Sequence, residues 1–153
     1  MQMEFLNSRL KNELEANQIK DSILLLDRCI YEDYHIFAKS IYKMGYTTEE
    51  EFEEYVDTYH EYIKQVKQPD IFIYVKASTK TLVDRIQRRG RDCEQRIDVG
   101  YLDTLTYYYD KFFDEMTKSM PDSKVIIIDT NDLNADEVHK VVHKHLKTNL
   151  ELN

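Results

Sequence analysis

Three short apolar runs separate longer helical patterns, and this alternation restricts the fold more than any other feature. The runs lie at residues 22–27, 71–75 and 125–129, and each contains consecutive apolar residues. Continuously apolar strands are typical of parallel sheets that helices cover on both faces. Strands that alternate with helices indicate an α/β fold. The sequence therefore predicts an α/β protein with a three-stranded parallel sheet and flanking helices.

Six stretches carry apolar residues at helical spacing. Thr47 or Thr48, followed by acidic residues, is expected to cap the third helix. Gly45 and Gly90 are expected to end the helices that precede them. The six helices are predicted over residues 1–18, 31–44, 48–66, 79–89, 99–119 and from Asp132 or Asn134 to 146.

Length and composition exclude several classes of protein. A chain of 153 residues predicts a single domain. We expect no membrane span, because there is no apolar run of about 18 residues, and no secretion signal is evident at the start. Two cysteines without C-x-x-C spacing favour a reducing, cytoplasmic location. The net charge of -8 argues against general binding to DNA or RNA.

Residues 85–96, here called the arginine-rich segment, carry five arginines on this acidic chain. A local cationic cluster suggests a small anionic ligand, since a long polyanion would be repelled by the remaining surface. Arginine suits planar, bidentate contacts with phosphate. Because Gly90 ends the preceding helix, the later arginines could close over a bound group. The alternative for the same residues is a solvated basic helix.

Asp27 and Arg28 follow the first apolar run, so they would lie at the carboxyl end of a strand. Ligands of open α/β sheets bind at that edge, and a surface ion pair is the alternative. Asp33 lies in the first turn of the next helix, where interaction with the helix dipole is its alternative role. Gln2 and Arg9 share one face of the first helix, and ordinary surface polarity is the alternative for both.

The glycines exclude one phosphate-binding motif from the printed sequence. A Walker A loop needs two glycines five residues apart, followed by Lys and then Ser or Thr. The three glycines are Gly45, Gly90 and Gly100, and no pair of them has that spacing. The chain therefore carries no Walker A motif of its own.

Four segments together resemble the deoxyribonucleoside kinase family, in the family's order and over nearly the whole chain. They are Met1-Gln2 with Ser8-Arg9, Asp27-Arg-Cys-Ile-Tyr-Glu-Asp33 with Ile36-Phe-Ala38, Pro69-Asp-Ile-Phe-Ile-Tyr74 with Ala77-Ser-Thr79, and Arg85 to Gln95. The resemblance is strongest to bacterial deoxyadenosine, deoxyguanosine and deoxycytidine kinases. It implies a P-loop-kinase-like fold and transfer of the ATP γ-phosphate to the 5′-hydroxyl of a deoxynucleoside, for nucleotide salvage. It also implies Mg²⁺ and a homodimer, with the helices at 1–18 and 48–66 as candidate contacts.

The resemblance also implies roles for residues of the first half of the chain. Asp27 would help to hold Mg²⁺, and Arg28 would steady the 5′ end of the nucleoside and the phosphates. Phe37 would stack beside the base. The residues that would recognise the base edge are Gln2, Arg9 and Asp33. These three are compatible with adenine, cytosine or guanine, so the preferred base stays open between them.

In the second half of the chain, Glu94 would bind the 3′-hydroxyl of the sugar, and Tyr101 would pack nearby. The transferring phosphoryl group would be neutralised by Arg85, Arg89 and Arg91. The adenine of ATP would lie near Asn131 and Asp132. Two residues depart from the family pattern: Cys29 stands where serine is usual, and Cys93 where an acidic residue is common.

Members of the family carry further residues before the part that this chain resembles. Those residues hold the first strand, the P-loop and the general base. We therefore expect a kinase domain that is truncated at its N-terminus and has little or no activity alone. The alternative is a non-catalytic module, derived from a kinase, that binds nucleosides or only dimerises.

Overall fold

The computed structural model of the chain describes residues 2–94, 96–119 and 123–150. Its contacts divide the chain into two compact units, Met1–Gln68 and Pro69–Asn153, and each is described by itself. Met1 and Gln95, which belong to two of the resembling segments, lie outside the described residues. The single domain that the chain length suggests stays a prediction.

The described part of the first unit is built from helices, and their positions agree with the sequence patterns. Residues 30–43 form one continuous helical stretch in three parts. The bounds are α1 Gln2–Ala16, α2 Ile30–Glu32, a π-helical segment Asp33–Ala38, α3 Lys39–Lys43 and α4 Glu49–Tyr62. The helices predicted at 1–18, 31–44 and 48–66 are confirmed, with slightly shorter ends.

Local side-chain signals explain where α3 ends and α4 begins. Thr48 Oγ1 accepts the N–H of Glu51 at 3.2 Å, and the Glu51 carboxylate accepts the N–H of Thr48 at 2.9 Å. This reciprocal pair satisfies two N–H groups that would otherwise lack partners at the start of α4. Gly45 follows α3 with φ +75°, a conformation that glycine adopts without steric cost.

The core of the first unit lies where α1 and α4 contact the helical stretch at 30–43. Leu6, Ile30 and Ile36 are fully buried there. The rings of Tyr34 and Tyr59 stack with centroids 4.4 Å apart. Burying a side chain of this size stabilises a fold by about 1.5–3 kcal/mol, so these contacts fix the helix that carries Asp33 and Phe37.

Residues 22–27 form no strand, so the predicted third strand is wrong. Ile23, Leu24, Leu25 and Leu26 are 40–74% exposed, and their backbone is irregular. A strand is stabilised by hydrogen bonds to a neighbouring strand. Among the described residues, no strand pairs with this run. An apolar run indicates a preference for burial, but it does not supply the partner backbone.

The second unit holds a two-stranded parallel sheet and its helices. Ile71 pairs with Lys124 and Lys76 with Asp129, so the carboxyl ends of the two strands lie side by side. The bounds are β1 Ile71–Lys76, α5 Thr79–Arg89, a 3₁₀ turn Asp92–Glu94, α6 Val99–Ser119, β2 Lys124–Asp129 and α7 Ala135–Leu150. The α/β class and the strands and helices predicted for this half of the chain are confirmed.

Aromatic side chains of α6 cover the first strand. The Tyr74 ring stacks on Phe113 with centroids 4.6 Å apart, and Phe72 meets the edge of Phe112 at 6.4 Å. These contacts explain the abundance of Tyr and Phe in this part of the sequence, since such rings pack well on a sheet face. α6 has 21 residues and also carries charged side chains. No described helix is long and apolar enough to cross a membrane.

Candidate functional site

Arg9 of α1 bonds to residues on both sides of α2, Asp27 before it and Asp33 after it. Its Nε donates to Asp33 Oδ2 at 3.3 Å, and its Nη1 donates to the Asp27 carbonyl oxygen at 3.0 Å. Asp33 is only 5% exposed. Burial raises the pKa of Asp33, and the neighbouring Arg9 guanidinium counteracts that rise. The two side chains thus form a fixed donor and acceptor pair.

Arg28 lies against an aromatic ring next to that pair. Its Cζ is 4.5 Å from the centroid of the Phe37 ring, a cation–π distance. Arg28 also has φ +69°, in the left-handed region that non-glycine residues seldom adopt. Phe37 and Asp33 both belong to the π-helical segment, and such segments occur frequently at functional sites. Arg28, with its unfavourable backbone conformation, therefore contacts the π-helical segment through Phe37.

The first unit thus brings together most of the residues predicted for the nucleoside side of the site. Asp27 is exposed and precedes Arg28 directly. Gln2 is half-buried in the first turn of α1, two turns before Arg9 and on the same side of the helix. The residues connected by the contacts above are Arg9, Asp27, Arg28, Asp33 and Phe37.

Arg85 in the second unit is engaged by the backbone. Its guanidinium donates to the Thr130 hydroxyl at 3.0 Å, to the Thr130 carbonyl oxygen, and to the Leu133 carbonyl oxygen at 3.1 Å. Thr130 is fully buried at the carboxyl end of β2. Arg85 therefore ties α5 to the loop after β2, and the phosphate role that the resemblance implies for it stays a prediction.

Arg89 and Arg91 share one carboxylate. The Nε and Nη2 atoms of Arg89 donate to Glu94 Oε2 at 3.0 and 2.7 Å, and Arg91 Nη1 donates to Glu94 Oε1 at 3.3 Å. Both arginines are exposed. The Arg89 guanidinium lowers the pKa of Glu94, and Arg91 adds to this effect. This part of the arginine-rich segment forms a small ion cluster at the surface.

Asn131 connects the carboxyl end of β2 to the start of α5. Its Oδ1 accepts from the Ser78 N–H and the Thr81 hydroxyl, both at 2.8 Å, and its Nδ2 donates to Asp129 Oδ1 at 2.8 Å. Asp132, next to it, is exposed. These bonds shape the edge of the sheet at which ligands of α/β proteins bind.

Tyr101 lies near the start of α6 and is half-buried. It follows Glu94 by seven residues in the sequence. The packing beside the sugar that the resemblance implies for Tyr101 stays a prediction.

Two acids, the buried Glu13 and the half-buried Glu32, were missed by the sequence analysis. Glu13 is 3% exposed and accepts the Ile30 N–H with Oε1 at 2.6 Å, while Glu32 Oε2 accepts the Cys29 N–H at 2.9 Å. Burial raises the pKa of both carboxyl groups. Helical spacing could have indicated Glu13, because it lies seven residues after Leu6 and therefore on the buried face of α1.

The described residues offer a limited set of metal ligands. They contain no group of three or more His, Cys, Asp or Glu side chains that could hold a metal ion. Magnesium needs fewer protein ligands where phosphate oxygens and waters complete its shell. The exposed carboxylate of Asp27 fits that second type of site as a single ligand.

Comparison with known proteins identifies relatives of one kind. The family model described as deoxynucleoside kinase matches residues 1–151. A deoxyguanosine kinase of Dictyostelium discoideum is 34% identical over 134 residues, which are 86% of this chain and 46% of the relative. A deoxyguanosine kinase of Bacillus subtilis is 30% identical over 129 residues, which are 84% of this chain and 61% of the relative.

Solved structures give the same result for the fold. A deoxyadenosine kinase from M. mycoides with bound dCTP superposes with a TM-score of 0.77 at 26% identity, over 96% of this chain and 71% of that chain. The same kinase with bound dATP gives a TM-score of 0.78 at 27% identity, over 96% and 72%.

The matches differ in how much of each protein they include. The chain spans roughly half the length of its curated relatives, 46% of the Dictyostelium enzyme and 61% of the Bacillus enzyme. Within that span the family model includes nearly every residue, and the parallel sheet with its helices agrees with the solved relatives. The chain belongs to the deoxynucleoside kinase family.

Proposed function

We propose that this chain acts in the transfer of the ATP γ-phosphate to the 5′-hydroxyl of a deoxynucleoside. The observation that carries the proposal is the pair of half-buried Arg9 and buried Asp33, flanked by Phe37, in a chain that matches the kinase family over residues 1–151. A fixed donor beside a fixed acceptor is complementary to the edge of a nucleobase. The names of the relatives, which are deoxyguanosine, deoxyadenosine and deoxycytidine kinases, support a deoxynucleoside as the substrate class.

Base recognition would come from hydrogen bonds on one edge and stacking on one face. Asp33 accepts and Arg9 donates, and the Gln2 amide can do both. A base that leaves these groups unpaired is strongly disfavoured, because buried polar groups without partners are costly. Phe37 would stack beside the base. Adenine, cytosine and guanine each present a suitable edge, so the proposal extends to all three.

Phosphoryl transfer needs positioning and charge neutralisation more than covalent help from the protein. Arg28 would hold the 5′ end of the nucleoside and the phosphates. Arg89 and Arg91 would neutralise the transferring group, since arginine charge counts most where water is excluded. Glu94 would accept the 3′-hydroxyl with Tyr101 beside it, and Asn131 and Asp132 would lie near the adenine of ATP.

Magnesium would be held by the Asp27 carboxylate together with phosphate oxygens and water. When bound, the ion would offset the negative charge of the phosphates. The chain's own contribution is the position of Asp27, whose backbone carbonyl is fixed by Arg9 at 3.0 Å. Asp27 is therefore a second residue whose placement depends on Arg9.

The assembly and location that the family resemblance implies are also proposals. We propose a homodimer in the cytoplasm, with no nucleic-acid partner, and α1 and α4 as candidate contacts between copies. The net charge of -8 supports the last exclusion, since a polyanion would be repelled. Light scattering with size-exclusion chromatography tests the dimer directly. No observation favours a non-catalytic module over this function.

Calorimetric titration of the purified chain with deoxyadenosine, deoxyguanosine, deoxycytidine and thymidine tests the nucleoside site. We expect binding of at least one of the first three. Arg9→Met should weaken that binding by about 100-fold, since it leaves the buried Asp33 carboxylate unpaired. Asp33→Asn should weaken it by a similar factor, since it replaces an acceptor-only carboxylate by an amide with a donor that faces the base. Lys11→Met, on an exposed position of α1, is the matched control. Equal affinity in the wild type and both site variants would refute the assignment.

A kinase assay with ATP and Mg²⁺ tests the reaction itself. The expectation from the sequence is little or no transfer by this chain alone. Product formation that Asp27→Asn and Arg28→Met abolish would establish the reaction and overturn that expectation. Absence of product in the presence of nucleoside binding would agree with it.

A further inference from the structure

Two side chains of α1 hold the backbone on both sides of Arg28. Arg9 Nη1 donates to the Asp27 carbonyl oxygen at 3.0 Å, and Glu13 Oε1 accepts the Ile30 N–H at 2.6 Å. Arg9 and Glu13 are four residues apart, so they lie one helical turn apart on the same face. One rigid helix therefore fixes the residue before Arg28 and the second residue after it.

A third hydrogen bond, between Cys29 and Glu32, also constrains the backbone next to Arg28. Glu32 Oε2 accepts the Cys29 N–H at 2.9 Å. The Cys29 and Ile30 N–H groups lie at the start of the helical stretch at 30–43, where backbone donors lack partners in their own helix. Negative side chains are favoured at such a terminus. Both donors that follow Arg28 are thus bound by a carboxylate.

The backbone of Arg28 needs such support. Its φ of +69° is unfavourable for a residue with a Cβ atom, and such a conformation persists only where the surroundings fix it. The contacts at Asp27, Cys29 and Ile30 constrain the three residues around it. They also fix the direction in which the arginine side chain leaves the chain, against the Phe37 ring.

Packing alone does not explain why residue 13 is a glutamate. Glu13 is 3% exposed, on the same face of α1 as the buried Leu6, where an apolar side chain would pack well. A buried carboxylate is costly unless hydrogen bonds satisfy it. Glu4 and Glu15 of the same helix are exposed, so the acidic character of α1 does not account for a buried glutamate. The hydrogen bond that Glu13 accepts from the Ile30 N–H accounts for it.

We propose that Glu13 is a positioning residue for Arg28. It acts through the Ile30 N–H, which holds Arg28 where it can contact the phosphate-bearing 5′ end of the ligand. This inference rests on the proposed function for the role of Arg28, but the hydrogen bond between Glu13 and the Ile30 N–H can be tested without it. No contact between Glu13 and the ligand is required.

The test compares Glu13→Met, which keeps the length of the side chain and removes the acceptor, with Glu13→Gln, which keeps an acceptor. Glu15→Met, at an exposed position of α1, is the matched control. The first readout is amide hydrogen exchange at Cys29 and Ile30. The second is the ratio of affinities for a 5′-monophosphate and its deoxynucleoside, with dAMP against deoxyadenosine and dCMP against deoxycytidine as probes.

We expect Glu13→Met to speed exchange at Ile30 and to lower the affinity ratio about tenfold, the usual scale for one hydrogen bond to a charged group. Glu13→Gln should restore most of the ratio, and Glu15→Met should change nothing. A merely structural role would weaken both ligands equally and leave the ratio unchanged. An unchanged ratio with unchanged exchange, or an equal loss of both ligands, overturns the proposal.

Failure of the proposed function would look different. If the wild type bound neither nucleoside nor monophosphate, hydrogen exchange alone would test the proposal. Exchange at Ile30 that does not respond to Glu13→Met would then show that Glu13 does not restrain this backbone. If Glu13→Met failed to fold, Glu13→Leu would carry the test, because it also removes the acceptor from the buried face of α1. Exchange at Ile30 should again be faster than in the wild type, because the Ile30 N–H loses its acceptor. Unchanged exchange in Glu13→Leu would then overturn the proposal.

Discussion

The two units hold their arginines in different ways. In the first unit, Arg9 is bound to the buried Asp33 and Arg28 lies on the Phe37 ring. In the second unit, Arg89 and Arg91 share Glu94 at the surface. Arginine density is much higher in the arginine-rich segment, yet the Arg9–Asp33 pair is less exposed: the Arg9 side chain is 23% exposed, against 49% for Arg89 and 62% for Arg91. Preorganisation depends on burial and on partners, and a count of charges does not measure either.

This difference has a consequence for binding. Under the proposed function, a nucleobase would need donors and acceptors at fixed positions, which Arg9 and Asp33 could offer. A transferring phosphate would need positive charge that can change partners, which exposed arginines that share one carboxylate could offer. Surface ion pairs contribute little and are screened by salt, whereas a buried pair is sensitive to loss of either member.

The largest effect on stability is expected from Asp33→Asn. It leaves the partly buried Arg9 without its charged partner, and Arg9 still has some access to water. We therefore expect a loss of about 2 kcal/mol in the free energy of unfolding, below the range for a fully buried pair. Urea unfolding monitored by circular dichroism measures it. Glu61→Gln, which removes the exposed pair with Lys64, is the control and should have no measurable effect. Equal stability of the two variants would erase the contrast between buried and exposed pairs.

A smaller effect is expected from Arg85→Met. Arg85 belongs to the arginine-rich segment by sequence, but its bonds to Thr130 and Leu133 hold it in place, as the bond to Asp33 holds Arg9. Its loss leaves two carbonyl groups short of a donor, and we expect about 1–2 kcal/mol of destabilisation in urea unfolding. Arg85→Lys should recover only part, since one ammonium group replaces a planar fork. Arg88→Met, which removes one 3.3 Å bond to a carbonyl of its own helix, is the control. If Arg85→Met and Arg88→Met destabilised the protein equally, the bonds of Arg85 would contribute no more than those of an exposed arginine.

The strands show how far the sequence could lead. Residues 22–27 and 124–129 look alike, as apolar runs that end in aspartate. The second run is β2 because β1 lies beside it, while the first is exposed and irregular. Helix bounds were predicted within a few residues because caps, glycines and spacing are local signals. A strand depends on a distant partner, which its own residues do not specify.

In the candidate site, too, some features could be predicted from the sequence and others could not. Arg9, Asp33 and Phe37 could be named in advance, since residue type and spacing in the sequence carried the resemblance. Partners across long sequence separations could not be named. Arg85 bonds to Thr130, 45 residues away, and Glu13 bonds to Ile30, 17 residues away. The physical reason is that such bonds form only when tertiary packing brings two helices or a helix and a loop together.

The smallest expected effect concerns the titration of Glu94. Its pKa is lowered chiefly by Arg89, so it lies below the ordinary range in the folded protein. The stabilisation from this pairing is therefore present above the ordinary glutamate pKa and is lost as the pH falls through the lowered value. Carboxyl carbon resonances followed by NMR against pH measure it. Arg89→Gln should raise the pKa of Glu94 towards the ordinary value, and Arg88→Gln should not.

Salt extends this prediction to the comparison between the units. At about 0.5 M KCl the Debye length shrinks to a few ångströms, so the pKa of Glu94, whose arginine partners are exposed, should rise towards the ordinary value. The pKa of Asp33 is raised, and burial is the largest cause of that shift. Salt does not change burial, so the pKa of Asp33 should stay nearly constant. If instead both carboxyl groups responded equally, the Arg9–Asp33 pair would be as accessible to ions as the surface cluster, and the stronger preorganisation of the first unit would be refuted.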